Sequence, residues 1–156
     1  MARNRKNSHK GFMYVGKPEP FTFMCKSLLE TPAFRNMSHG AFKMYWILRS
    51  EYMGEITENR LGKSNTVICP YDYLIKQGFR RGSITRYLNE LELFEVITVI
   101  QGTGGFENPS MYHFEEGFKN ITEETAREYA QIAKDLKTRK AFEEYKAKQQ
   151  MRLVHK

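Results

Sequence analysis

The fold is decided by residues 70–94, which read PYDYLIKQGFRRGSITRYLNELELF. Two runs of apolar side chains lie in this stretch, each spaced by three and four residues as on one face of a helix. The first run predicts a two-turn helix that begins after Pro70 and ends before Gly78, and the second predicts a helix over 83–94 with Ser83 as its N-cap. The apolar side chains of the two runs are Tyr71, Leu74 and Ile75, then Ile84, Tyr87, Leu88, Leu91 and Phe94. The stretch therefore predicts two short helices joined by a tight turn.

The flanking residues extend this pair into a longer order of elements. They predict a helix over 38–53, a strand over 66–69 and, after the pair, a strand over 96–100, a glycine-rich loop over 101–110 and a returning strand over 111–114. Helix, strand, helix, helix, strand, strand is the chain order of a winged helix-turn-helix. In that arrangement the second helix of the pair enters the major groove of DNA, and the hairpin beside it forms the wing.

The expected fold class is α+β, mostly α, in the form of a winged helix-turn-helix with an added C-terminal helix. Three segments organise the chain. Residues 1–20 are expected to be a flexible basic arm, 21–121 the winged-helix domain, and 122–156 a C-terminal amphipathic helix and tail.

The final helix is predicted to begin after Thr122 or Asn120 and to run to about Gln150. Its apolar stripe must be covered, either by the helix over 38–53 or by the same helix of a second copy. A break in the stripe after Lys137 favours the second copy, so we expect a homodimer formed through this helix. The stripe consists of Ala126, Tyr129, Ala133 and Leu136.

Composition narrows the class of partner. The 156 residues carry a net charge of +7, of which residues 1–20 contribute +4, and 40% of the chain is apolar. This apolar content supplies one core and excludes wholesale disorder, while the basic balance favours nucleic acid as partner. No run approaches the length of a membrane-spanning helix, and the two cysteines, Cys25 and Cys69, suit a reducing compartment; we expect a cytoplasmic protein.

The outward face of the helix over 83–94 carries the candidate base-reading residues. Arginine can pair bidentately with guanine and asparagine with adenine, so Arg86 and Asn89 are predicted to read bases, with Thr85 beside them. The alternative is an ordinary solvated helix face. The basic residues before the helix and the hairpin after it favour contact with double-stranded DNA.

DNA contacts are expected at three further places. Side chains at the start of the helix can bind phosphate, aided by the unpaired amides of its first turn. The glycine-rich loop lacks both the third glycine of a dinucleotide-binding loop and the Lys-Ser/Thr of a P-loop, so it is interpreted as a wing tip. The predicted residues are Arg80, Arg81 and Ser83 at the helix start and Thr103 and Asn108 in the loop. In the arm, Arg3, Arg5 and Lys6 are expected to bind DNA by entering a neighbouring minor groove, and the alternative is a solvated tail that keeps the protein soluble.

No motif predicts catalysis. The four histidines are scattered, no Cys–His cluster has zinc-site spacing, and no Gly-x-Ser-x-Gly elbow occurs. Neighbouring carboxylates such as Glu123 and Glu124 do not face each other on a helix. We therefore expect a protein that is not an enzyme, with no metal, no cofactor, no small-molecule substrate and no membrane association.

Four short motifs carry a family resemblance: LLETPAFRNMS at 28–38, Ala41-x-Lys43-x-Tyr45, Pro70-Tyr71 and Leu88-x-Glu90-Leu91. They resemble winged-helix proteins of bacterial plasmids, phages and conjugative transposons, and the plan is similar to the N-terminal domain of Gram-positive plasmid replication initiators. The resemblance implies a duplex-DNA-binding module of a mobile element that acts in replication initiation or transcriptional control. The alternative is a protein-interaction adaptor on the same scaffold, with the final helix as its docking surface.

Overall fold

A computed structural model describes residues 24–51, 65–100 and 110–154. In chain order the elements are α1 (Lys26–Leu29), α2 (Pro32–Asn36), α3 (His39–Ser50), β1 (Thr66–Ile68), α4 (Tyr71–Lys76), α5 (Arg81–Leu93), β2 (Ile97–Ile100), β3 (Met111–Phe114), a 3-10 helix (Gly117–Asn120), α6 (Glu123–Ile132) and α7 (Arg139–Val154). The described chain is mostly helical with one small sheet. The predicted class, α+β and mostly α, is confirmed.

Helix α3 begins where its cap residue predicts. The Ser38 hydroxyl accepts a hydrogen bond from the backbone N–H of Ala41, over 3.3 Å, as an N-cap does. The same serine donates its backbone N–H and its hydroxyl to the carboxylate of Glu90 on α5, over 2.6 and 2.7 Å. One serine thus starts α3 and ties it to α5. The predicted end of this helix at Gly54 lies outside the described residues.

Helix α5 starts two residues earlier than the sequence predicts. Arg80 is extended (φ −77°, ψ 137°), and its carbonyl accepts from the backbone N–H of Ser83 and of Ile84, so Arg80 is the N-cap. The prediction of Ser83 as the cap is wrong. Phe79 is buried directly before Arg80, and this anchor sets where the chain can turn into α5. Gly78 makes the turn out of α4 with a φ of +92°, a conformation that favours glycine.

The three strands form one antiparallel sheet in the order β1-β3-β2. Strand β3 lies in the centre, with Tyr112 opposite Val67 on one side and opposite Val99 on the other. Tyr112 is fully buried, so the sheet packs one face on the core that α3 and α5 also build. The predicted hairpin of β2 and β3 is confirmed, and the loop 101–109 that joins them lies outside the described residues.

The predicted single C-terminal helix is wrong, because the chain forms α6 and α7 with a turn over 133–138 between them. The turn lets α7 fold back onto α5, where Phe142 joins Leu93 in a second, smaller hydrophobic cluster. The apolar stripe is covered within the chain: Ala126, Ala133 and Leu136 are all buried. Its cover comes mainly from α2, α5 and α7 rather than from α3. The homodimer stays a prediction, but an uncovered stripe no longer argues for it.

Candidate nucleic-acid interface

Helix α5 has an inward face that holds it in the domain. Ile84, Leu88 and Leu91 are at most 2% exposed and pack in the main core. Tyr87 lies beside them, with its ring against Phe79 at 5.9 Å between centroids. The outward face is therefore the side that carries the predicted contacts, and its two halves differ.

The first half of the outward face is open and basic. Arg80, Arg81 and Gly82 are exposed, and a methyl group at Gly82 would meet no atom within 4 Å. The segment 73–89 carries four basic residues and no acidic one. The exposed start of α5 can therefore approach a phosphate backbone without repulsion from a carboxylate of this segment.

Two further lysines lie beside this start, and the sequence interpretation missed both. Lys43 of α3 donates from Nζ to the carbonyl of Gln77 over 2.9 Å and lies 4.9 Å from the centre of the Phe79 ring. Lys76 is exposed in the last turn of α4. The sequence could have indicated Lys76, because it belongs to the segment 73–89, which contains no acidic residue. The sequence could not have indicated Lys43, because only the packing of α3 against the turn between α4 and α5 brings this lysine close to the start of α5.

Arg86 lies on the outward face but is directed along it. Its guanidinium donates to the Tyr87 hydroxyl over 2.9 Å and lies 4.8 Å from the centre of the Tyr87 ring. Arg86 and Thr85 are both half-buried. A cation–π contact is worth about 0.5–1 kcal/mol at exposed sites and more when it is desolvated, so this contact and the hydrogen bond together hold Arg86 along the face.

Asn89 does not belong to the open surface, so the prediction that it lies on the exposed face of α5 is wrong. Its side chain is fully buried. Nδ2 donates to the carbonyl oxygens of Leu136 and Thr138, both over 3.0 Å, and Oδ1 accepts from Arg139 over 3.3 Å. Both amide protons and the amide oxygen are thus engaged within the chain, and none is left for adenine.

The second half of the outward face is acidic and closed. The Glu92 side chain is 7% exposed and pairs with Arg139 and with Lys146, whose Nζ lies 3.2 Å away. Arg139 also pairs with Glu143 at 2.8 Å, so it is held from both sides. Because these partners come from α7, the closure of α5 depends on a segment about 50 residues further along the chain.

The remaining predicted residues divide into two groups. Ser83 is half-buried in the first turn of α5, where its backbone N–H already donates to Arg80 over 2.8 Å. The loop and arm residues lie outside the described part of the chain; they are Thr103, Asn108, Arg3, Arg5 and Lys6.

The pKa values of two titratable side chains, Cys69 and Tyr73, are raised above their ordinary values. Burial raises the pKa of the Cys69 thiol to about 12, so it stays protonated at neutral pH and is a poor nucleophile. A hydrogen bond to Glu51 is the main cause that raises the pKa of Tyr73 to about 12. Within residues 24–51, 65–100 and 110–154, no three His, Cys, Asp or Glu side chains are grouped so that they could hold a metal ion. No helix in the same ranges is long and apolar enough to cross a membrane.

Comparison of the chain with models of protein families, with curated proteins and with solved structures finds no significant match. The geometry of the described residues is therefore the basis for assigning a function.

Proposed function

We propose that this protein binds duplex DNA through a winged helix-turn-helix. In this proposal α4 and α5 are the helix pair, and the hairpin of β2 and β3 is the base of the wing. The element order, the tight turn at Gly78 and the central position of β3 support it. A helix pair of this kind places its second helix in the major groove.

The observation that best supports the proposal is the distribution of charge along α5, which is basic and exposed at its start and acidic and paired within the protein at its end. Its exposed start bears Arg80 and Arg81, follows Lys76 and lies beside Lys43. Its acidic end, with Glu90 and Glu92, is turned to partners inside the protein. A surface that presents cations outward and pairs its carboxylates inward suits a polyanion better than a protein of mixed charge.

The geometry favours docking by the first two turns of α5. Arg80 and Arg81 would contact phosphates, and Thr85 and Arg86 would reach base edges from the same side. Asn89 takes no part, since its amide is engaged with the segment after α6. The protein would act by occupying a site without chemistry, on a plasmid, phage or conjugative element, in replication initiation or transcriptional control, as its resemblance implies.

The test compares two variants of equal charge for binding to a fluorescent duplex of random sequence at low salt. Arg80→Gln with Arg81→Gln should weaken binding at least about tenfold, because two phosphate contacts are lost. Lys26→Gln with Lys119→Gln is the matched control, since both lysines are exposed and pair only with neighbours on their own helix or turn. Equal binding by the two variants would reject the start of α5 as the DNA contact.

One observation favours the adaptor as a second candidate. A cleft of about 780 Å³ lies between the end of α7, α6 and β2. On its rim Leu153 is 75% exposed, and Met151 on the same helix is 57% exposed. A protein partner could cover Leu153 at this rim. If the chain binds no duplex even at low salt, this candidate replaces the first.

A further inference from the structure

Several residues of the turn between α6 and α7 are bound to α5, and exposed lysines lie between them in the sequence. We call residues 134–140, KDLKTRK, the basic turn. Leu136 is 6% exposed within the small hydrophobic cluster, and the carbonyls of Leu136 and Thr138 accept from Asn89. Arg139 is held by Glu92 and by Asn89. The basic turn is thereby held by its backbone at Leu136 and Thr138 and by the side chain of Arg139.

The other side chains of the basic turn are exposed to solvent and carry a net positive charge. Lys134, Lys137 and Lys140 are exposed, and Asp135 is the single carboxylate of the basic turn. Lys137 and Lys140 make no ion pair and no side-chain hydrogen bond within the described residues. Lys134 bonds only the neutral amide of Gln131, over 2.7 Å, so its charge is also uncompensated. A fixed backbone with uncompensated lysines is suited to binding an anion.

The basic turn lies on the same face of α5 as the proposed DNA contacts. Gly82, Arg86 and Asn89 follow one another at steps of three and four residues, so they share that face. From Gly82 to Asn89 the helix rises about 10 Å, at ~1.5 Å per residue. Lys134 and Arg86 line one shallow cleft of about 330 Å³. The major groove is ~12 Å wide and admits a helix, so a phosphate contact about 10 Å from the start of α5 lies within the dimensions of the groove.

We propose that the basic turn is a second contact to the phosphate backbone of the duplex that α5 enters. Asn89 is then a positioning residue, which holds the lysines at the rim of the groove and reads no base. This inference rests on the proposed function, and it adds a surface that comes from the segment after the winged helix. The partner is the phosphodiester backbone, so the contact is independent of base sequence.

The first test is the dependence of duplex affinity on salt in Lys137→Gln with Lys140→Gln. Two lost phosphate contacts should reduce the steepness of log affinity against log salt by about 1.8, at ~0.9 per phosphate. Affinity at about 0.1 M salt should fall at least about tenfold. The control, Lys26→Gln with Lys119→Gln, has the same net charge and should keep the wild-type slope. Equal slopes in the two variants would overturn the inference.

The second test separates positioning from base reading. Asn89→Ala should lower affinity equally for all duplex sequences, and adding it to Lys137→Gln with Lys140→Gln should cause little further loss, because the lysines no longer act. Selection from a random duplex pool should return the same preferred bases for Asn89→Ala as for the wild type. A changed base preference would restore Asn89 as a reader and overturn its positioning role.

The outcomes distinguish this inference from the proposed function. Failure of the wild type to bind any duplex would remove both. Binding that depends on Arg80 and Arg81 but not on Lys137 and Lys140 would remove the basic turn alone. A rise in affinity after the lysines are neutralised would show that the basic turn obstructs DNA, and this also overturns the inference.

Discussion

Asn89 of α5 donates its side-chain amide to the backbone carbonyl of Leu136 over 3.0 Å, across 47 residues of chain. Asn89 is fully buried, and the contact is part of a set that joins α5 to the start of α7. It divides α5 into an open basic start and a closed acidic end. The start of α5 therefore stays exposed, and the rest of the helix serves the packing of α6 and α7.

Replacement of Asn89 by alanine should destabilise the protein by about 1–3 kcal/mol, because two carbonyls and one guanidinium lose their buried partner. The free energy of unfolding, measured in urea by circular dichroism, checks this. Thr85→Ala, on the same helix face but half-buried, is the control and should stay within about 0.5 kcal/mol of the wild type. If Asn89→Ala is as stable as the control, the contact set does not hold α5 to α7.

Two glycines should respond to alanine in opposite directions. A methyl group at Gly40 would lie 2.1 Å from the Tyr87 ring, so Gly40→Ala should force α3 from α5 and cost about 1–3 kcal/mol. Gly82 has open space around it, and Gly82→Ala in α5 should stabilise by up to about 1 kcal/mol through helix propensity. Thermal melting of both variants checks the pair. A stable Gly40→Ala protein would contradict the close packing of α3 on α5.

The ion pair of α2 with α6 should appear in the pH dependence of stability. Hydrogen bonds from Arg35 and Asn36 lower the pKa of the Glu123 carboxyl below its ordinary value of 4.5. A lowered pKa in the folded state contributes stability above the ordinary pKa, and this stability is lost as pH falls through the folded value. Urea unfolding over an acidic pH series should therefore show a larger loss for the wild type than for Glu123→Gln. Parallel curves would show that the pairing does not contribute, and Glu124→Gln is the control.

Arg86 should set base preference at one position of the DNA site. Arg86→Ala should cost about 1–3 kcal/mol on the preferred sequence and relax the choice of base there. Selection of bound duplexes from a random pool, carried out with both proteins, measures this. Arg81→Ala is the comparison, since loss of a phosphate contact should weaken all sequences alike. An unchanged preference in Arg86→Ala would mean that α5 does not read through this side chain.

Local signals were sufficient for the helix pair and the hairpin. The apolar spacing around Leu88 predicts a helix, and the β-branched run of β2 predicts a strand. In both elements the buried face follows from residues that are close in sequence. The start of α5 was misplaced because Ser83 is a good cap residue, whereas the buried ring of Phe79 sets the turn earlier. The burial of Asn89 could not be predicted, because its partners are backbone carbonyls of a distant segment, and a carbonyl carries no sequence signal.

The affinity of the full chain for duplex DNA across a salt series decides whether the start of α5 binds DNA. We expect micromolar affinity at moderate salt and, for about five neutralised phosphates, a slope of log affinity against log salt of about −4.5. Arg80→Gln with Arg81→Gln should make that slope shallower by about 1.8. An affinity that does not change with salt, or a slope that the two arginines do not affect, would contradict the proposal that the start of α5 binds DNA.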